Sequence, residues 1–281
     1  IRDSIRTFLV KADTNTDIYH SFVKDSNEIC KHNVLFIDKY KTSVFMNRLF
    51  RRIRENECLD YIEESEDEDD FENINEDKFV DMATRKGITK KTNLSLFARK
   101  WKSGIKAINL DDDDRLIGTA ITDGKKEILL ASSAGKLIRF NESKVRPMGR
   151  TARGVKGMKL KKDQRLISLN VADPTKTILC VSENGYGKKT ELEDFPTHNR
   201  GGQGVISIKT SERNGMMVAA ALVEEEDGIM LISDKGTMIR TNVSQVPTLS
   251  RNTQGVKIIT PKEEEKLTEC VTIPLDQDEE D

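Results

Sequence analysis

Residues 128–140 read "ILLASSAGKLIRF". An apolar run enters Ser-Ser-Ala-Gly, and a second run leaves it with a basic residue just before its end. Two β-prone runs joined by a short turn, with a glycine free to take positive φ, predict a β-hairpin. The same design is written three more times, as "VDMATRKGITKKT" (80–92), "ILCVSENGYGKKT" (178–190) and "IMLISDKGTMIRT" (229–241). The turn glycines Gly87, Gly135, Gly185 and Gly236 are 48, 50 and 51 residues apart.

A second phrase keeps the same period. "GIKAINL" (104–110), "GVKGMKL" (154–160), "GVISIKT" (204–210) and "GVKIITP" (255–261) begin at glycines separated by 50, 50 and 51 residues. A third landmark, Leu116, Leu166, Met216 and Leu267, is also spaced 50, 50 and 51. Three landmarks with one period identify an internal repeat. Each unit reads as about four short strands. Four-stranded units of this length suit blades around an axis, a propeller-like all-β architecture. A solenoid or one large sandwich fits the spacing too. The expected organisation is an unassigned segment at 1–57, a repeat domain at 58–275 with four clear repeats, and an acidic tail at 276–281.

Charge is partitioned along the chain. The formal net charge is only −2, yet residues 78–275 hold 35 Lys and Arg against 24 Asp and Glu. Residues 1–77 hold 11 against 19, and "DQDEED" (276–281) is wholly acidic apart from one Gln. Basic residues also follow the period. Lys100, Arg150, Arg200 and Arg251 stand four before each phrase glycine, and Lys91, Arg139, Lys189 and Arg240 are next to last in each hairpin. Lys and Arg on a sheet edge also discourage unwanted pairing. That does not account for their return to one place per repeat. Around a ring of blades such positions form a cationic belt suited to a polyanion. Phosphate contacts give affinity without reading sequence. The low aromatic content, 5%, argues against base stacking on single strands, so duplex DNA is the expected partner.

Other chemistry is thinly represented. Cys30, Cys58, Cys180 and Cys270 form no CxxC pair, which excludes a zinc-finger spacing and fits a reducing cytoplasm. The three histidines make no catalytic group. No apolar run approaches the ~20 residues of a membrane span. The chain opens at Ile1 without an initiator Met or a signal peptide's apolar core, and reads as part of a longer protein.

Three stretches carry a resemblance: "DDDDRLIGTAITDGKKEILLASSAGKLIRFNESKVRPMG" (111–149), "SENGYGKKTELEDFPTHNRGGQGVISIKTSERNGMM" (182–217) and "VSQVPTLSRNTQGVKII" (243–259). They closely resemble the C-terminal domain of bacterial DNA gyrase A subunits, over roughly 78–275. The resemblance implies a β-pinwheel, a propeller-like disc that wraps duplex DNA on a basic rim and supports ATP-dependent negative supercoiling. It nominates Arg99, Lys100, Arg139, Arg146, Arg150, Arg153, Lys156, Lys188, Lys189, Arg200, Arg240 and Arg251 as DNA-binding residues. No catalytic or metal-binding residue is expected in this chain, and no cofactor. ATP and Mg are expected on the cleavage core and the partner subunit of the full enzyme. The implied partners are DNA, the A-subunit cleavage core and the gyrase B subunit, in a cytoplasmic assembly of two A and two B subunits, with no membrane. Alternatives are the related domain of topoisomerase IV, or a protein-interaction propeller. For the latter, a Trp-Asp dipeptide per blade is missing, since the one Trp, Trp101, precedes Lys102.

The chain departs from the family pattern in places. The family's Arg/Gly box, close to Q-R-R-G-G-K-G, is absent from the start of the chain; "NRGGQG" (199–204) is similar but sits in a middle repeat. Residues 1–57 do not follow the repeat and read as a divergent or mis-joined first blade. Within them, Val44 or Phe45, Leu49 and Ile53 fall at helical spacing and predict an amphipathic helix at 41–55. The acidic run "EESEDEDDFENINED" (63–77) reads as a solvated loop that, with the tail, competes for the basic rim.

Overall fold

The computed structural model describes residues 78–97, 106–262 and 264–273. The expected helix at 41–55, the acidic run at 63–77, the tail, Arg99 and Lys100 lie outside the described residues. Within them the chain is all-β, with strands β1 (Phe79–Thr84), β2 (Ile88–Asn93), β3 (Leu116–Thr122), β4 (Glu127–Ser132), β5 (Lys136–Asn141), β6 (Val155–Lys156), β7 (Leu166–Val171), β8 (Thr177–Ser182), β9 (Tyr186–Thr190), β10 (Val205–Ile206), β11 (Met217–Val223), β12 (Gly228–Ser233), β13 (Met238–Asn242), β14 (Val256–Lys257) and β15 (Leu267–Ile273). After each hairpin the chain makes a single 3-10 turn.

The four hairpins are β1–β2, β4–β5, β8–β9 and β12–β13, all antiparallel. Their turn glycines have φ of 82°, 70°, 79° and 84°, the left-handed region that other residues enter only at a cost. The sheets run in the order β3-β1-β2-β6, β10-β5-β4-β7, β11-β8-β9-β14 and β13-β12-β15. Strands β3, β7, β11 and β15 pack one against the next and form the inner side of the arc. The outer strands are the short ones.

Those outer strands revise the reading of the Gly phrase. The copies at 154–160, 204–210 and 255–261 each contain a short strand, but not one of their own blade. These three cross to the blade before: β6, which follows the β4–β5 hairpin, pairs with β2; β10 pairs with β5; β14 pairs with β9. The blades are therefore stitched together by strand exchange, which local sequence pattern cannot reveal.

The third landmark lies at a bulge. Thr84 pairs with Leu116, Ser132 with Leu166, and Ser233 with Leu267, each where the register shifts. In the third repeat Ser182 pairs with Met217, not Met216, and Met217 is the buried residue. The bulge turns the inner strand so that this side chain enters the core.

Middle blades are covered on both faces, so their strands are continuously apolar rather than alternating. Ile128 and Leu130 of β4 join Ile138, Phe140, Val145 and Leu166 in one core. Leu129 and Ala131 of the same strand join Ile178, Cys180, Phe195 and Met217 in the next. Strand β8 repeats this, with Leu179 and Val181 facing Leu231, Val243 and Leu267.

Candidate nucleic-acid interface

The outer strands and the loops that lead into them form one continuous side of the arc. Their sequence starts after each 3-10 turn, with Pro147, Thr197 or Thr248 making a parallel bridge to Lys91, Arg139 or Lys189 of the preceding blade. It then passes Arg150, Arg200 or Arg251 and reaches the glycine. Each outer strand ends where two successive N–H groups donate to the carbonyl of a turn glycine: Gly157 and Met158 to Gly87, Ser207 and Ile208 to Gly135, Ile258 and Ile259 to Gly185.

The cations on this side fall into two sets. Arg146, Arg153 and Lys156 are exposed, as is Arg240 on β13, while Arg150, Arg200 and Arg251 are half-buried. Arg153 is engaged by the carboxylate of Asp111. Arg200 is braced on both sides, its Nε donating to the Lys144 carbonyl at 2.8 Å and a terminal nitrogen to the Lys156 carbonyl at 3.0 Å. That fixes the guanidinium against the loop while leaving part of its fork outward.

The second set corrects the sequence reading. Lys188 and Lys189 are only 0% and 2% exposed, and so are not rim cations. Strand β9 is covered by the incoming segment: Lys189 N–H donates to the Pro247 carbonyl, and Leu249 N–H to the Lys189 carbonyl. The Lys189 ammonium is paired with Glu225. Arg139 is likewise committed inside. Its Nε donates to Glu127 at 2.8 Å, and it reaches the carbonyls of Leu192 at 3.0 Å and Phe195 at 3.3 Å. The equivalent Lys91 donates to the Glu142 carbonyl at 3.0 Å. In the first three repeats the basic residue near the hairpin's end therefore recurs because it bolts its blade to a neighbouring element. Only in the last blade, at Arg240, does it stay exposed.

Lys188 has a different task. Its Nζ donates to the Ser250 carbonyl at 2.6 Å, next to Arg251. At the same position of the first repeat, Lys90 does the same for the Arg150 carbonyl and also donates to Ala107 at 2.6 Å. In the second repeat this site is Ile138, packed in the core. Burial pulls both ammonium groups down to about 8, with Arg150 adding to the effect on Lys90. These lysines hold the loops that carry the half-buried arginines.

Sequence reasoning overlooked several cations. Lys106, Lys156 and Lys257 occupy one position of the repeat, two after the phrase glycine, and all three are exposed; of these, the family resemblance points to Lys156 alone. Lys159 and Lys209, three residues further on, are exposed as well. The repeat alignment contained this signal. Lys257 also lies 5.8 Å from the Tyr186 ring centroid, which Arg213 approaches at 5.0 Å. Among the described residues no cluster of His, Cys, Asp and Glu is arranged to hold a metal ion. No helix among them is long and apolar enough to cross a membrane.

Comparison with known proteins places this architecture. The family described as DNA gyrase C-terminal domain, beta-propeller, matches residues 82–123, 126–173, 176–224 and 229–274, one match per repeat. The chain is 48% identical over 202 residues to the DNA gyrase A subunit of Salmonella typhimurium, covering 71% of this chain and 23% of that protein. It is 47% identical over 205 residues to the DNA gyrase A subunit of Pseudomonas aeruginosa, covering 72% and 22%. The chain thus spans under a quarter of the length of these relatives. Among solved structures, the C-terminal domain of DNA topoisomerase IV superposes with a TM-score of 0.68 at 25% identity, covering 72% of this chain and 64% of that one. The DNA gyrase A C-terminal domain gives 0.63 at 26% identity, covering 72% and 67%. With a match in each of the four repeats and close to half of the aligned residues shared with gyrase A subunits, the chain belongs to the DNA gyrase C-terminal domain family.

Proposed function

We propose that this chain binds duplex DNA along the outer side of its blades and bends it there, as the DNA-wrapping part of a gyrase A subunit. The observation that carries this is the recurrence of Arg150, Arg200 and Arg251 at one point of each outer loop, with Lys156 and Lys257 on the strands that follow. The spacing of such cations follows the blades, so a phosphate backbone laid along them meets one cluster per blade. Contacts of this kind add affinity through counterion release and leave the base sequence unread. Bending a 20–30 bp site by 40–90° costs of order 1–6 kcal/mol, which several clusters acting together offset.

In the longer enzyme such wrapping would present a DNA segment to the cleavage core and support ATP-dependent negative supercoiling. ATP and Mg would reside on the core and the partner subunit, and this chain would contribute no catalytic group. The gyrase reading is favoured over topoisomerase IV by the 47–48% identity to gyrase A subunits.

The test has two parts. Binding of a labelled duplex, followed across a salt series, should weaken steeply with salt and be insensitive to sequence. Ligation of nicked circular DNA in the presence of the chain should then shift the linking number progressively in one direction. Tight binding without a shift would retain binding and remove wrapping. Absence of salt-sensitive binding would overturn the proposal.

A further inference from the structure

Two positions set the third repeat apart. One residue past the turn glycine, the other repeats have Ile88, Lys136 and Thr237, and the third has Tyr186. Nine residues past the phrase glycine, the others have Asp113, Asp163 and Glu264, and the third has Arg213. These two exceptions lie 27 residues apart, and they meet. The Arg213 Nε donates to the Tyr186 hydroxyl at 3.2 Å, and the guanidinium carbon is 5.0 Å from the ring centroid. Lys257, directly opposite Tyr186 on the outer strand β14, brings its ammonium to 5.8 Å from the same centroid. The ring is held inside, with Tyr186 8% exposed, while Arg213 and Lys257 are both exposed.

The backbone under Arg213 is fixed as well. Asn184, in the hairpin turn, donates from Nδ2 to the carbonyls of Glu212 and Arg213 at 3.2 and 3.1 Å. Asn214 is fully buried and donates to the Lys209 and Gln254 carbonyls at 3.0 and 3.2 Å, which ties this loop to the segment entering β14. The neighbouring Glu183 carboxylate accepts from the Met216 N–H at 3.3 Å and lies 3.6 Å from the Lys266 ammonium. In the first repeat the corresponding side chains neutralise each other, Lys86 of the turn pairing with Asp113 of the loop. In the third, Asn184 takes the place of the lysine and Arg213 that of the aspartate. A ring attracts each cation, but two like charges held at one ring repel, and an anion between them relieves that repulsion. An arginine stacked on an aromatic ring presents a planar fork matched to phosphate oxygens.

We propose that Arg213 and Lys257 together clamp the phosphate backbone of DNA at the third blade, with Tyr186 as the positioning residue that holds both cations. This rests on the duplex-binding reading above and adds Arg213 to the cations that the family resemblance nominates.

Duplex binding across a salt series tests it, with melting temperatures to show that each variant is folded. Arg213→Gln and Lys257→Gln should each lessen the slope of log affinity against log salt by about 0.9. Lys125→Gln, an equal loss of charge at an exposed site in the β3–β4 connection, should leave the slope unchanged. Tyr186→Leu should lessen the slope in the otherwise unmodified chain, and Tyr186→Phe, which keeps the ring, should restore most of it. In a chain already carrying Arg213→Gln and Lys257→Gln, Tyr186→Leu should change the slope no further, whereas a purely structural tyrosine would act in both backgrounds. If Tyr186→Leu does not fold, the comparison of Arg213→Gln with Lys125→Gln decides alone. Steep salt dependence that Arg213→Gln leaves unaltered, or an equal loss from Lys125→Gln, would overturn the clamp and leave duplex binding standing. A Tyr186→Leu effect that persists in the double variant would overturn the positioning role. Absence of salt-sensitive binding by the unmodified chain would overturn the clamp and the duplex-binding reading together.

Discussion

The Lys188 ammonium donates to the Ser250 carbonyl at 2.6 Å across 62 residues of sequence. This bond joins the covered strand of the third blade to the loop that delivers Arg251. Replacing the lysine by isoleucine, the residue used at this position in the second repeat, should release that loop. Hydrogen bonds to charged groups contribute roughly 1.5–3 kcal/mol; because water can reach the exposed Ser250, a loss of about 1 kcal/mol is expected. The variant should bind duplex DNA more weakly at neutral pH. Comparing melting curves with DNA titrations checks both effects.

The same site has a pH signature. Burial lowers the folded-state pKa of Lys188 to about 8, against ~10.4 for an unperturbed lysine. Below pH 8 both states are protonated and the penalty of the buried charge is fully present. Between pH 8 and the unfolded value the unfolded chain binds more protons, so stability rises with pH. The melting temperature of the unmodified chain relative to Lys188→Ile should increase from pH 8 to pH 10. A constant difference would mean that the lysine titrates normally.

Asp81 behaves in the opposite direction. It is fully buried between the first two blades, accepts from Thr122 at 2.9 Å, and leaves its Oδ1 without a partner. Burial, with help from the nearby Glu142, pushes its pKa up to about 7. The folded state therefore holds a proton that the unfolded state releases above ~3.9, and this group's contribution falls as pH rises from 4 to 7. The equivalent residues in the next two repeats are Leu129 and Leu179. Asp81→Leu should stabilise by about 1–3 kcal/mol at pH 8, in line with apolar replacement of buried ionic groups. The gain should shrink towards pH 5, as thermal melts of the two chains across that range will show.

Two glycines separate conformational need from coincidence. A Cβ on Gly135 would lie 2.1 Å from the Ile208 carbonyl oxygen, at a φ of 70°. Gly135→Ala should cost the ~1 kcal/mol or more of the left-handed conformation and in addition push the outer strand β10 off its blade. Gly149 has no atom within 4 Å of its Cβ position, and Gly149→Ala should stay within about 0.5 kcal/mol. Denaturant midpoints of the two variants provide the comparison.

Exposed and buried cations should part company in a salt titration. Removing Lys156 and Lys257 together should lessen the slope of log affinity against log salt by about 0.9 for each phosphate no longer neutralised. Lys189→Met should leave the slope unchanged and lower stability, because its ammonium faces Glu225. Equal loss of slope in both variants would contradict this division.

The repeat, the hairpins and the propeller-like class were legible because they are local. A glycine between two β-prone runs dictates a turn wherever it occurs, and a fixed period demands equivalent units. The cations two residues past three of the four phrase glycines were equally legible from the alignment. What the sequence could not separate was Lys188 from Lys156, since both are lysines in or beside a strand at a repeated position. Burial of Lys188 depends on a segment some 60 residues later folding over β9, and that crossing is a long-range choice. The same holds for Arg139 and Lys189, whose regular spacing arises from internal ion pairs with Glu127 and Glu225. Sequence alone thus determined the unit and its number among the clear repeats. The tertiary structure decided which strands each blade borrows, because the outer edge of a hairpin offers identical backbone groups to any strand, and only packing of neighbouring blades selects the one that arrives.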